Sequence, residues 1–355
     1  MSAPRSRRRM MILTEGKLGI FSAKTAVCLV RYCPAEVVCI LDSKAARSGK
    51  PLEALIGIGR GVPIVSSVRE GLQHTPTQLV IGIAPVGGQL PAPWRRIVVQ
   101  AIGAGLDIVN GLHFVLQDDP ELAALARKKK VRLFDVRVPP PDLGVVEDKL
   151  RRLSQRRIAV VGSDCSVGKM LTAVELDRGL RERGWDSEFV ATGQTGIMIA
   201  GSGIAVDHVL SDYVNGAAER LCWERRKRQV VVVEGQGSVY HPAYSGVTVG
   251  LLHGSMPHGM VYVHAPARRK MSHYDQFDLP PITQAIQLTE DLTRPVFPAK
   301  VLAVSLNTVG MSDAEVERAV RDTESQTGLP ACDPIRHGIG KLLDAVSKIL
   351  PKPAR

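Results

Sequence analysis

Aromatic side chains are scarce in this chain, making up 4% of its 355 residues. A surface that stacks single-stranded nucleic acid interleaves such rings with basic residues. The basic runs here, Arg5 to Arg9, Lys128 to Lys130, Arg151 to Arg157 and Arg225 to Arg228, hold no ring between their charges. They read as solvated helix ends, and although a net charge of +11 favours anionic partners in general, nucleic acid is not expected among them. Also missing is any C-x-x-C pair. The six cysteines, at 28, 33, 39, 165, 222 and 332, suggest neither a zinc framework nor a disulfide scaffold, so reduced thiols in a cytoplasmic protein are expected. No apolar run is long enough to span a bilayer, and the basic opening Met1 to Arg9 lacks the apolar core and cleavage site of a signal peptide. It reads as a frayed tail, and no membrane partner is expected. His253, His258, His264 and His273 form no i, i+4 pair with a carboxylate on one helix, so no metal site is expected.

What the chain has in quantity is glycine, 33 residues, within a 45% hydrophobic composition. Its length exceeds the usual single domain, so two are expected. Apolar runs alternate with helical stretches throughout. In the first half the candidate strands are Val37–Leu41, Pro63–Ser66, Leu79–Ala84, Asp107–Val109 and Val131–Asp135. In the second they are Ile158–Val161, Ser187–Ala191, Val230–Glu234, Met260–His264 and Val301–Leu306. This βαβ rhythm implies α/β domains with parallel sheets covered on both faces. Val138-Pro-Pro-Pro141 can continue neither helix nor central strand, which divides the chain into domains 1–141 and 142–355. A charged amphipathic helix is expected from Val145 to about Gln155. The loop Ala84 to Gln89 follows a strand at its carboxyl end, where open sheets bind ligands, or is a plain connection.

The most informative stretch is Arg157 to Leu176, where an apolar run feeds a glycine-bounded loop that opens a helix. Gly162, Ser163, Asp164, Cys165, Ser166, Val167, Gly168 and Lys169 fit G-x-x-x-x-G-K, the phosphate-binding loop, with Lys169 placed for a terminal phosphate. The hydroxyl residue that should follow, and would hold magnesium, is Met170. A thioether is no ligand for that hard ion, and Thr172, two residues on, points about 200° away, so phosphate binding without magnesium is expected. Two further loops should converge on this one: Thr192 to Met198, offering Gln194, Thr195 and Gly196, and Glu234 to Pro242, offering Gln236, Gly237 and Ser238. Glu234, on the tip of the most hydrophobic strand, occupies the Walker-B position. Glu234 and His241 are the candidate bases.

The motifs Gly162 to Met170, Thr192 to Ile197, Gly201 to Asp207, Glu234 to Ser238, His241 to Thr248 and Leu252 to Ser255 together resemble the DgcN-type D-glutamate (D-amino-acid) N-acetyltransferases, a family long labelled a domain of unknown function. The resemblance spans nearly the whole chain. It implies a Rossmann-like N-terminal domain followed by a P-loop NTPase-like domain similar to dethiobiotin synthetase, with acetyl-CoA as donor and an acidic D-amino acid as acceptor. Asn307 resembles the position at which dethiobiotin-synthetase-like folds contact adenine, or is a turn asparagine. The stretches Asp42 to Ala46 and Arg268 to Tyr274 depart from the family's pattern. An ATP-dependent ligase of the dethiobiotin type and a non-catalytic nucleotide or CoA sensor remain as alternatives. A homo-oligomer is expected.

Overall fold

A computed structural model describes residues 8–20, 22–83 and 87–353. The opening segment up to Arg7 and the Ala84–Val86 part of the candidate loop lie outside the described residues. The chain divides into two compact units, Met1–Val138 and Pro139–Arg355. No helix among the described residues is long and apolar enough to cross a membrane.

The first unit is a parallel sheet of β1 (Met10–Leu13), β2 (Val37–Leu41), β3 (Ile64–Val65), β4 (Gln78–Ile81), β5 (Asp107–Asn110) and β6 (Leu133–Asp135), in the order β3-β2-β1-β4-β5-β6. Its longer helices are α1 (Lys24–Tyr32), α2 (Ala92–Gly103) and α3 (Pro120–Lys129). β1 is absent from the strands read in the sequence, because four apolar residues after a basic run show no period to distinguish strand from helix. All four are buried and central in the sheet. At the tip of β2 the fully buried Asp42 accepts from Thr14 Oγ1 at 3.0 Å and from the Leu18 N–H at 3.2 Å. It also caps the helical turn that follows through the Lys44 and Ala45 N–H groups.

The second unit carries β7 (Arg156–Gly162), α4 (Lys169–Glu182), β8 (Ser187–Val190), α5 (Gln194–Ala200), α6 (Val214–Glu224), β9 (Val230–Glu234), α7 (Ser245–Ser255) and β10 (Gly259–His264). A small antiparallel hairpin, β11 (Lys270–Met271) and β12 (Tyr274–Asp278), precedes α8 (Ile282–Thr293), β13 (Val301–Leu306), α9 (Asp313–Thr327), β14 (Ala331–Cys332) and α10 (Gly340–Ser347). The sheet is parallel, ordered β14-β13-β10-β7-β9-β8. β9 is buried along its whole length, as its unbroken run of valines requires of a strand covered on both faces. Val190, Val231 and Val233 pack with Ala217 and Leu221 of α6, while Ala159, Val161, Tyr262 and Val304 pack with Ile282 and Ile286 of α8. Each valine, leucine or isoleucine among them contributes roughly 1.5–3 kcal/mol of burial.

The helix expected from Val145 to Gln155 does not form. This stretch is irregular because its backbone is claimed by α6. Buried Glu219 accepts the Glu147 and Lys149 N–H groups at 2.8 and 2.6 Å, and a Cβ on Gly216 would stand 2.0 Å from the Gly144 carbonyl oxygen. Two basic residues expected in solvent are also inside. Arg225 is buried with Nε 2.7 Å from Glu188. Arg157 is fully buried, its Nε donating to the Ser255 and Met256 carbonyls at the C-terminal end of α7, both at 2.9 Å. Burial lowers its pKa to about 10, and the helix end stabilises the charge in place of a carboxylate.

Candidate active site

β7 delivers the chain into the loop 163–168, and the carbonyl ends of β9, β10 and β13 close around it. Gly168 has φ +111°, a left-handed conformation that opens α4 and that an L side chain rarely adopts. The loop is braced on several sides. Ser163 N–H donates to the Val263 carbonyl at 2.9 Å, and Ser238 Oγ donates to the Ser163 carbonyl at 3.0 Å. Asn307 Nδ2 donates to the Val167 carbonyl at 3.0 Å. One of its two amide hydrogens is thus committed to the loop, and its Oδ1 accepts the Val309 N–H at 3.3 Å. His264 Nδ1 lies 3.2 Å from Ser163 Oγ. Burial pulls the His264 pKa down to about 4, aided by Arg268 and Arg269, so its ring is neutral.

Lys169 folds back so that Nζ donates to the Asp164 carbonyl at 2.6 Å. Burial lowers its pKa to about 8, opposed by Asp164 and Glu234 nearby. The N–H groups of Gly168 and Lys169 stand at the mouth of α4, where the first N–H groups of a helix have no intrahelical acceptor. Met170 is half-buried, and the Thr172 hydroxyl is occupied with Ser305 Oγ at 2.9 Å, so neither presents an oxygen to the loop.

Glu234 stands at the tip of β9 with its side chain under α5. Oε2 accepts the N–H groups of Thr192 and Gly193 at 2.9 and 3.2 Å. Gly196 makes the approach possible, since a Cβ there would lie 2.3 Å from that oxygen. Burial raises the Glu234 pKa to about 7, against the two N–H bonds and the Gln236 side chain, which lower it. Gln236 Nε2 reaches Thr192 Oγ1 at 3.2 Å, and Gly237, at φ +65°, turns the chain beneath Tyr244. Gln194 and Thr195 begin α5, both half-buried.

His241 is brought to the other flank of the loop. Its Nδ1 accepts the Ala243 N–H at 3.2 Å, so the proton resides on Nε2, which donates to the Ser272 carbonyl at 3.1 Å. The ring stacks on Tyr244 with centroids 4.6 Å apart and meets the edge of Tyr274 at 5.2 Å. Both nitrogens are therefore occupied, an arrangement suited to positioning rather than to taking a proton.

Sequence reasoning placed Asp164 in the loop but missed the partners it gathers on this flank. Asp164, fully buried, accepts the Cys165 N–H through Oδ1 at 2.6 Å, and through Oδ2 both Arg268 Nη1 and the Ser272 N–H at 2.8 Å. Arg268 Nη1 also donates to the Cys165 carbonyl at 2.6 Å. The segment leading through the β11–β12 hairpin is thus fastened to the phosphate loop. Ligand-type atoms of Asp164, Cys165 and His241 fall within 4.8 Å of one another, a grouping invisible in the sequence. Lys169 and Arg268 flank the same loop, and two cations beside one carboxylate suit an anion better than a metal ion.

A doubly wound parallel sheet with a glycine-bounded, lysine-ended loop at the carboxyl end of a central strand, following a separate unit of Rossmann-like strand order, defines a two-unit P-loop α/β protein. The chain belongs to the DUF1611 family. Residues 144–343 match its C-terminal P-loop domain and residues 45–139 its N-terminal Rossmann-like domain, both described as domains of unknown function. A crystal structure of a DUF1611 family protein from Anabaena variabilis is 37% identical, superimposes with a TM-score of 0.91, and is covered over 99% of its length by 96% of this chain. Two curated relatives carry the name D-glutamate N-acetyltransferase. The one from Tritonibacter scottomollicae is 39% identical over 76% of this chain and 81% of its own length. The one from a Pseudoalteromonas species is 38% identical over 78% and 83%. The chain is accordingly an enzyme of the acyltransferase class.

Proposed function

We propose that this enzyme transfers the acetyl group of acetyl-CoA to the amino group of an acidic D-amino acid, D-glutamate first among them. The observation that carries the proposal is Glu234, a buried carboxyl beside an anion-binding loop with a pKa near 7. A general base works best when its pKa lies near the working pH, and an amino acid presents its amine as an ammonium that must lose a proton before it can attack. Glu234 takes that proton, and the freed amine attacks the thioester carbonyl. Backbone N–H groups of Gly235 to Ser238 supply donors for the oxyanion. The C–S bond then breaks and the CoA thiolate leaves, taking up the second amine proton. A thiol has a pKa near ~8.5, so the leaving group needs little assistance.

The loop Gly162 to Met170 holds the phosphates of CoA through Lys169, its amides and the start of α4, without magnesium. The flexible pantetheine arm folds back so that the thioester meets Glu234. Asn307 acts by bracing the loop, and His241 by fixing the hairpin through Ser272. Gln194, Thr195, Gly196, Gln236, Gly237 and Ser238 line the acceptor's side.

The test is to incubate the protein with acetyl-CoA and a panel of D- and L-amino acids and to follow free thiol. Thiol release is expected with acidic D-amino acids foremost. Release with no amine, together with amine-dependent ADP formation from ATP, would replace the transferase by a ligase.

A further inference from the structure

A diphosphate in a loop of this type normally shares its charge with a magnesium ion held by the hydroxyl residue after the lysine. Here that residue is Met170, and the next hydroxyl, on Thr172, is bound to Ser305. The protein supplies a different cation at the same loop. Arg268 arrives from the segment after β10 with Nη1 held by Asp164 Oδ2 and by the Cys165 carbonyl, at 2.8 and 2.6 Å. The bonds it makes among the described residues run through Nη1, and 28% of its side chain is exposed. The carboxylate that aims it is itself fully buried. This is a pre-organised guanidinium, fixed along one edge and open along the other, where a fork of two N–H groups matches two phosphate oxygens.

We propose that Arg268 replaces magnesium at this loop, forming with Lys169 a metal-free clamp for the diphosphate of a nucleotide ester such as coenzyme A. The proposal rests on the acetyl-CoA reading for the choice of ester, and on the loop geometry for the clamp. Arg268 belongs to the stretch that departs from the pattern expected of the family, so the clamp is a property to be tested in this chain. The Asp164, Cys165 and His241 trio offers no rival site for a cation bridging loop and diphosphate. Asp164 Oδ2 already meets Arg268, and His241 Nε2 is turned to Ser272.

Calorimetric titration of the full chain with CoA, and separately with inorganic pyrophosphate as a probe, decides the matter. Wild type is expected to bind each equally in EDTA and in magnesium. Arg268→Gln should weaken both by about 10- to 100-fold, as loss of charge-assisted bonds does. Arg268→Lys should recover part of the loss, since it restores the charge but not the fork. Arg268→Gln also loosens the tie to Asp164, so Asp164→Asn serves as the comparison: it loosens the same tie and keeps the cation. The salt dependence of binding should fall in Arg268→Gln and persist in Asp164→Asn. Unchanged affinity in Arg268→Gln, equal salt dependence in the two variants, or a magnesium requirement in wild type would each overturn the clamp. Arg268-dependent CoA binding without acetyl transfer to any amine would leave the clamp standing and remove the transferase reading. Acetyl transfer with Arg268-independent CoA binding would do the reverse.

Discussion

Glu234 concentrates the pH behaviour of the site. Its pKa is raised from 4.5 to about 7 by burial, and the ionised form is the base, so kcat/KM should climb with pH and level off above about 7. Glu234→Gln keeps the shape, and turnover should fall roughly 10²-fold or more. The effect on stability has the opposite sign. Below the unfolded pKa both states carry the proton and burial is not penalised. As pH rises through about 7 the folded state must bury a charge, so that part of the stability is lost. Glu234→Gln should therefore be more stable than wild type at pH 8, by on the order of 3 kcal/mol, and show little difference at pH 4. Melting curves at the two pH values check this, and a variant equally destabilised at both would mark Glu234 as a structural support. The phosphate loop and Glu234 were legible in the sequence because their residues are contiguous or end a strand of unbroken valines. Arg268 was not, because it meets Asp164 from 104 positions further along the chain, and nothing in a local pattern records such a meeting. Asn307 and His241 were found as residues, but what each side chain bonds to is set by the fold.

At the scale of elements, two glycines carry close approaches that no propensity reveals. α5 can lie on Glu234 only because Gly196 has no side chain. Gly196→Ala should displace the carboxylate and lower kcat by about tenfold or more, with a stability loss of only about 1–2 kcal/mol because the carboxylate can swing aside. A steady-state assay beside a melting curve separates the two effects. Gly216→Ala should act in the opposite way. Its Cβ would meet the backbone of Gly144 and Val145, and backbone cannot swing aside as a side chain can. A loss of about 3 kcal/mol or more is expected from denaturant titration. The charged stretch after Asp142 reads as a helix but folds as an irregular strap: Gly144 lies against Gly216, and the Glu147 and Lys149 N–H groups go to Glu219 instead of to carbonyls of their own segment.

For the whole molecule, the alternation of strands and helices was enough to anticipate two parallel-sheet units. The order of strands was not, since a rhythm says nothing about which strand sits beside which. The connection between the units is largely exposed from Val138 to Lys149, so brief proteolysis should nick first within residues 141–146. Mass spectrometry should then find two fragments close to the sizes of the units. First cleavage inside either sheet would contradict the division. In each sheet, moreover, the earliest strand in the chain occupies an interior place, β1 between β2 and β4, and β7 between β9 and β10. A chain that leaves the ribosome from its N-terminus therefore presents its template strand first, and later strands add on both flanks. The edge strand β14 arrives last, so until about residue 332 has emerged the nascent second unit leaves unpaired the β13 backbone at Val304 and Ser305 that β14 later covers.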